Sequence, residues 1–183
     1  TYPTTTITTT YSVTLVVTSQ AGCTDTIISQ PISILPPPVA NAGPDVSICQ
    51  GNSATLCGSG GVTYSWIPSN PIQTTQCITV TTASAPTYTL VVADANGCTA
   101  NDVVNVITNS QPSITATGGQ ICTGGCTPIS AGGGVSYSWA QTIPPSLSCI
   151  NCTSPTACPS GLTTYTVIGV DANGCTNTAT ASV

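Results

Sequence analysis

Across 183 residues there is no lysine, arginine, histidine or glutamate, and five aspartates (Asp25, Asp45, Asp94, Asp102 and Asp171) carry the whole formal charge of -5. Most catalytic chemistry is excluded at once. Ser-His and Cys-His nucleophiles, general acid and base pairs and arginine clamps all require residue types that are missing. No enzyme activity and no cofactor are expected. Without basic residues the chain has no counterion-releasing footprint for nucleic acid and no polybasic grip on anionic lipid. No apolar run approaches the roughly 18 residues that cross a bilayer, so membrane insertion is not expected. No basic segment precedes a signal-like stretch, and the sequence reads as a mature or excised piece. The same lack removes every trypsin site, which suits persistence outside a cell.

What is present is 40% hydrophobic content, placed regularly enough to support folded domains. Apolar and polar residues alternate in short runs such as Val62, Tyr64, Trp66 and Tyr88, Leu90, Val92, and no stretch has helical periodicity. The chain is predicted to be all-β. The segment GGVTYSW at 60–66 returns as GGVSYSW at 133–139, and the endings AGCT at 21–24, DANGCT at 94–99 and DANGCT at 171–176 recur three times. Trp66 and Trp139 are 73 residues apart, as are Cys49 and Cys122; Tyr88 and Tyr165 are 77 apart, as are Cys98 and Cys175. This period predicts whole modules at 39–108 and 112–183, each with about seven short strands in two packed sheets. Residues 1–35 have no preceding Tyr-Ser-Trp strand and read as the last strands of a partial module, completed by another segment or subunit. Pro36-Pro37-Pro38, at 36–38, reads as a semi-rigid linker. Asn96-Gly97 and Asn173-Gly174 predict hairpin turns joining the last two strands of each module, because both residues tolerate positive φ.

Eleven cysteines without histidine point to disulfides, and so to an oxidising, extracellular or cell-surface location. Cys49 and Cys122 occupy matching ICQG and ICTG segments, while Cys98 and Cys175 occupy the DANGCT turns. The expected pairs are Cys49 with Cys98 and Cys122 with Cys175, each stapling the first strand of a module to its own final hairpin. Cys57 precedes Trp66 by 9 residues and Cys77 precedes Tyr88 by 11, a total of 20; Cys126 precedes Trp139 by 13 and Cys158 precedes Tyr165 by 7, again 20. In an antiparallel ladder, moving one partner back by four moves the other forward by four, and an even shift keeps both on one face. Cys57 with Cys77 and Cys126 with Cys158 thus fit one strand pairing bridged at two levels. Cys149 and Cys152 of CINC pair with each other; no positive charge stands nearby to make them a redox couple. Cys23, aligned with the turn cysteines, is left over as an inter-subunit cysteine or a free thiol.

Other residues invite functional readings that weigh less than structural ones. Trp66 and Trp139 resemble sugar-stacking platforms, but alternation places them on the face of Tyr64 or Tyr137 and Val62 or Val135, in the core. The Asp and Asn of DANG resemble half a calcium loop, yet no acidic residues follow at ligand spacing, so no metal site is expected. The threonine runs 4–10 and 79–82 suit the wet face of strands. Asn151-Cys152-Thr153 matches a glycosylation acceptor, and Asp25-Thr26-Ile27 resembles a bacterial O-glycosylation sequence, making Asn151 and Thr26 candidate glycan sites.

The run NAGPDVSICQGNSATL, then GGVTYSW, then PTYTLVVADANGCTANDVVNV resembles the immunoglobulin-like or PKD-like repeats of large bacterial surface proteins, notably gliding-motility-associated adhesins of the Bacteroidota. The resemblance covers both whole modules and the terminal fragment. It implies tandem immunoglobulin-like β-sandwich modules, stapled by disulfides, secreted and exposed at the bacterial surface, with no catalytic residues. The expected function is a non-enzymatic structural or adhesive protein that self-associates into a fibre or continues covalently as a longer repeat array. The alternative is a carbohydrate-binding module array, for which surface glycans are the partner.

Overall fold

Threonine, valine and isoleucine dominate the short segments between Gly, Pro and Asn turns, and their branched side chains favour pleated backbone over helix. The computed structural model describes residues 6–69, 71–82, 86–140 and 146–183, and its seventeen elements are all strands. Residues 1–5, including Thr4 and Thr5 of the threonine run, lie outside the described residues.

The N-terminal region holds β1 (Thr9–Tyr11), β2 (Thr14–Thr18), β3 (Thr24–Ile28) and β4 (Ile32–Ile34). β2 pairs antiparallel with β3 and β1 with β4, so the four strands form one long hairpin interrupted between residues 11 and 14 on one side and 28 and 32 on the other.

The next strands are β5 (Val46–Cys49), β6 (Ser53–Cys57), β7 (Thr63–Ile67), β8 (Cys77–Thr81), β9 (Thr87–Ala93) and β10 (Thr99–Asn109). They form a four-stranded sheet ordered β5-β10-β9-β7 and a two-stranded sheet β6-β8. Along β5 and β10 the contacts advance together: Asp45 accepts from Asn105, Ser47 accepts from Asn109, and the Gln50 N–H donates to the Asn109 carbonyl. The first strand therefore runs parallel to the last. An edge strand parallel to the final strand, beside a two-strand hairpin and opposite a second small sheet, is the immunoglobulin-like sandwich. Its core gathers Leu56, Trp66, Ile78, Val80, Leu90, Val92 and Val104, all buried. β9 alternates between buried and half-buried positions, as a strand lying over this core must.

The last strands repeat the plan with shorter pieces: β11 (Thr115–Thr117), β12 (Thr127–Pro128), β13 (Ser130–Gly132), β14 (Ser136–Trp139), β15 (Thr156–Ala157), β16 (Thr164–Val170) and β17 (Thr176–Ser182). β14-β16-β17 form one sheet, β12-β15 the other, and β11 pairs with β13. Ile129, Trp139, Ala157, Tyr165 and Val167 fill the core. The repeated GGV has a steric origin: Gly60 and Gly133 both have positive φ, and a Cβ there would fall onto the carbonyl oxygen of Val39 or Ser113.

The chain divides into two compact units, Thr1–Val46 with Thr55–Val80 and Ala85–Val106, and Ser47–Ala54 with Thr81–Ser84 and Ile107–Val183. No helix among the described residues is long and apolar enough to cross a membrane.

Candidate functional site

Three turns are built alike. In the β9–β10 turn the Asp94 N–H donates to the Cys98 carbonyl, the Gly97 N–H donates to the Asp94 carbonyl, and Asp94 Oδ1 accepts from the N–H groups of Asn96 and Cys98. Asp171 and Cys175 repeat every one of these bonds. In the β2–β3 turn Ser19 stands in for the aspartate: its N–H meets the Cys23 carbonyl, its carbonyl meets the Gly22 N–H, and its Oγ accepts from the Cys23 N–H. Only the glycines, Gly22, Gly97 and Gly174, have positive φ. The hairpin turns expected at Asn96-Gly97 and Asn173-Gly174 form, although the asparagines, which tolerate positive φ, do not adopt it. A side-chain acceptor opens the turn and a single left-handed glycine closes it with a bulge, so the residue before glycine stays at negative φ.

The hairpins also share one register. Val17 faces Asp25 across β2–β3, Val92 faces Ala100 across β9–β10, and Gly169 faces Asn177 across β16–β17, each pair six residues before and two after its turn cysteine. Equivalent side chains then differ only in cover. Tyr88, Leu90 and Val92 are 4%, 0% and 0% exposed, whereas their counterparts Val13, Leu15 and Val17 are 44%, 58% and 55% exposed. Ile27, opposite Leu15, and Ile28 are exposed too. The apolar face of β2–β3, lined by Val13, Leu15, Val17 and Ile27, is exposed and is the candidate site.

The second set of candidate groups is the cysteines. Cys57 is bonded to Cys77, Cys126 to Cys158 and Cys149 to Cys152. The first two bridge one ladder at two levels: the Gly58 N–H donates to the Gln76 carbonyl beside the first bridge, and the Ala131 N–H, equally far before its tryptophan, donates to the Thr153 carbonyl in the second sandwich. The bridge there has moved four residues along, to the rung next to Thr127 and Ala157.

The expected pairs Cys49 with Cys98 and Cys122 with Cys175 are not the ones formed: Cys49 is bonded to Cys175, while Cys98 and Cys122 are unbonded, as is Cys23. The direction of β5 is the reason. Running parallel to β10, it brings Cys49 level with Asn109, while Cys98 precedes the other end of this 11-residue strand, roughly 35 Å away at extended spacing. Cys122 is placed likewise, three residues beyond Gly119, whose N–H donates to Ser182 at the far end of β17 from Cys175. A cysteine of the ICxG segment therefore cannot reach the turn of its own sandwich.

Both tryptophans are core residues, 0% and 2% exposed, with indole N–H groups donating to the Thr75 and Cys152 carbonyls. Val62 and Val135, expected beside them, are exposed instead, although their N–H groups donate to the Ala93 and Val170 carbonyls at the ends of the β7 and β14 ladders. Asn151 is exposed within the loop closed by Cys149 and Cys152, and Thr26 is exposed on β3. The aspartates are spent on backbone. The Asn105 side-chain amide, and then its N–H, hold the Asp45 carboxyl below its usual value, and the Ala42 N–H followed by that of Val103 does the same for Asp102. For Asp94 desolvation pushes upward, but the N–H groups of Cys98, Asn96 and Gly97 with the Asn96 side chain outweigh it. Among the described residues no group of three or more acidic or cysteine side chains is arranged to hold a metal ion.

No protein-family model matches the chain, and no curated protein matches it. Among solved structures it is similar to a Ca2+-stabilized adhesin that helps an Antarctic bacterium reach out and bind ice, at 15% identity and a TM-score of 0.47, over 95% of this chain and 55% of that one. It is also similar to a structure from a 1.5-MDa bacterial ice-binding adhesin, at 14% identity and a TM-score of 0.45, over 94% of this chain and 72% of that one. A two-domain IG1+IG2 structure of DIP-gamma is similar at 11% identity and a TM-score of 0.36, over 80% of this chain and 96% of that one.

Proposed function

We propose that the chain is a non-enzymatic structural subunit, or repeat segment, of an extracellular bacterial fibre or adhesin. In this reading residues 1–35 are the back half of an immunoglobulin-like module whose front-half strands come from outside the two whole modules, at 39–108 and 112–183. The observation that carries it is the β2–β3 hairpin, which repeats the turn and register of two buried hairpins while leaving its apolar face open. An isolated two-stranded ribbon is marginal in water, and an uncovered apolar edge recruits further strands. The four disulfides suit an oxidising exterior. The repeat pattern resembling gliding-motility-associated adhesins supports a bacterial surface, and the exposed Thr26 and Asn151 offer places for glycans.

The test is negative-stain microscopy of the purified chain under native conditions. Fibres are expected, and Leu15→Asp should abolish them while the circular dichroism of the folded sandwiches stays unchanged. Dispersed monomers that bind a glycan array would overturn the fibre in favour of a carbohydrate-binding array.

A further inference from the structure

Two kinds of cysteine recur in the repeat, and the structure shows one pair of them joined. Turn cysteines are Cys23, Cys98 and Cys175, held in one hydrogen-bond pattern. ICxG cysteines are Cys49 and Cys122. Their local geometry also matches: the Asn52 N–H donates to the Cys49 carbonyl at 3.0 Å and the Gly125 N–H to the Cys122 carbonyl at 2.8 Å, each over a turn with a glycine at positive φ, Gly51 or Gly124. The joined pair is Cys49 with Cys175, an ICxG cysteine with the turn cysteine of the module that follows it in sequence. The ICxG thiol of the second sandwich, Cys122, requires a turn cysteine from another module.

We infer that Cys122 of one copy forms a disulfide with Cys23 of the next, linking copies head to tail. The inference rests on the fibre reading and deepens it by naming the covalent joint. Both thiols are exposed, whereas Cys98 is half-buried. Beside Cys122 lies an open cleft of about 510 Å³, whose lining includes Ile121, Pro159 and Leu162; Leu162 is 92% exposed. The turn that would enter it, Ser19-Gln20-Ala21-Gly22-Cys23, carries no charge to desolvate. A joint between two different surfaces does not close on itself and so propagates as an open filament.

The chemistry balances through a small-molecule disulfide as oxidant. The Cys122 thiolate attacks one sulfur of that disulfide, forming a mixed disulfide and releasing one thiolate. The Cys23 thiolate of the next copy then attacks the Cys122 sulfur, forming the protein disulfide and releasing the second thiolate. Two protein thiols are oxidised, two small-molecule thiols are formed, and the two protons go to solvent or to the departing thiolates.

The experiment oxidises the purified full chain with oxidised glutathione, blocks remaining thiols by alkylation, and resolves the products on non-reducing gels. Pepsin fragments are then mapped by mass, since trypsin has no site. A ladder of multimers that collapses on reduction is expected, together with a Cys122–Cys23 cross-linked fragment. Cys122→Ser and Cys23→Ser should each abolish the ladder, and Cys98→Ser should leave it intact. Recovery of Cys122 as the alkylated thiol from oxidised protein, or linked to Cys98 or to a second Cys122, would overturn the inference. Microscopy of the same samples separates the two ideas: fibres containing alkylated Cys122 defeat the disulfide alone, whereas no fibres from any sample, oxidised or reduced, defeat the fibre reading.

Discussion

The β2–β3 and β9–β10 hairpins share three turn hydrogen bonds and one register, yet Leu15 stands in water where Leu90 is sealed in a core. Local sequence accounts for the hairpin in both places. It does not account for burial, which depends on whether strands such as β6 and β8 lie across the face. Stability is therefore uneven: turn and ladder terms are carried within each hairpin, and the larger hydrophobic term appears only where the apolar face is covered. Fully burying an aliphatic side chain contributes about 1.5 to 3 kcal/mol, so covering Val13, Leu15 and Val17 is the dominant gain available to residues 1–35.

The largest expected effect breaks the symmetry between the hairpins. Leu90→Ala should cost about 3 kcal/mol in denaturant unfolding, within the range for leucine truncation in a packed core. Leu15→Ala should cost less than about 0.5 kcal/mol in the dispersed chain, as an exposed substitution. The same Leu15→Ala change should then weaken assembly, read as a raised critical concentration for fibres. Equal unfolding costs at the two positions in the dispersed chain would show that the β2–β3 face is already covered.

A middle-sized effect should be the same in both hairpins. Gly22 and Gly97 have φ of +84° and +83°, and a Cβ at either would meet nothing within 4 Å. Alanine therefore meets only the backbone strain of the left-handed conformation, about 1 to 2 kcal/mol. Gly22→Ala and Gly97→Ala should speed amide exchange in their own turns by a similar factor. A large difference would mean that the matching hydrogen bonds conceal different local energetics.

Much of this was readable from residue order. The alternation at Tyr88, Leu90 and Val92 specified a strand over a core, and the antiparallel arithmetic linking Cys57 to Cys77 and Cys126 to Cys158 depended only on distances from Trp66, Tyr88, Trp139 and Tyr165. Cys49 was misassigned because a single edge strand carries no mark of its direction: β5 would read the same parallel or antiparallel to β10, and only direction decides which end Cys49 occupies. The Asn-Gly pair marks the hairpin, and a second signal two residues earlier specifies its turn. An acceptor side chain followed three residues later by glycine, as in Asp94 to Gly97 and Ser19 to Gly22, already spells a turn in which glycine alone is left-handed. Val62 and Val135 continue the alternation of their strands in sequence and their N–H groups join the ladders, but their side chains stand outside the cores.

The smallest effect tests whether the two turns are interchangeable, because one is held by a carboxylate and the other by a hydroxyl. Asp94 has its pKa lowered from 3.8, as do Asp45 and Asp102. A depressed folded-state pKa means that the ionised group contributes stability fully above the unfolded value near 3.8, and that this contribution is lost as pH falls through the lower folded value. Ser19 does not titrate in this range, so the bond from its Oγ to the Cys23 N–H should persist in acid. Amide exchange followed from pH 5 down to pH 2, corrected for its intrinsic pH dependence, should show protection falling at Asn96 and Cys98 but not at Cys23. Ser19→Asp should transfer the acid sensitivity to Cys23, and Asp94→Ser should remove it from Cys98. Acid sensitivity that stays with the β9–β10 turn after the exchange would locate its cause in the surrounding sandwich, through Asp45 and Asp102, and would show that the hairpins differ in more than their cover.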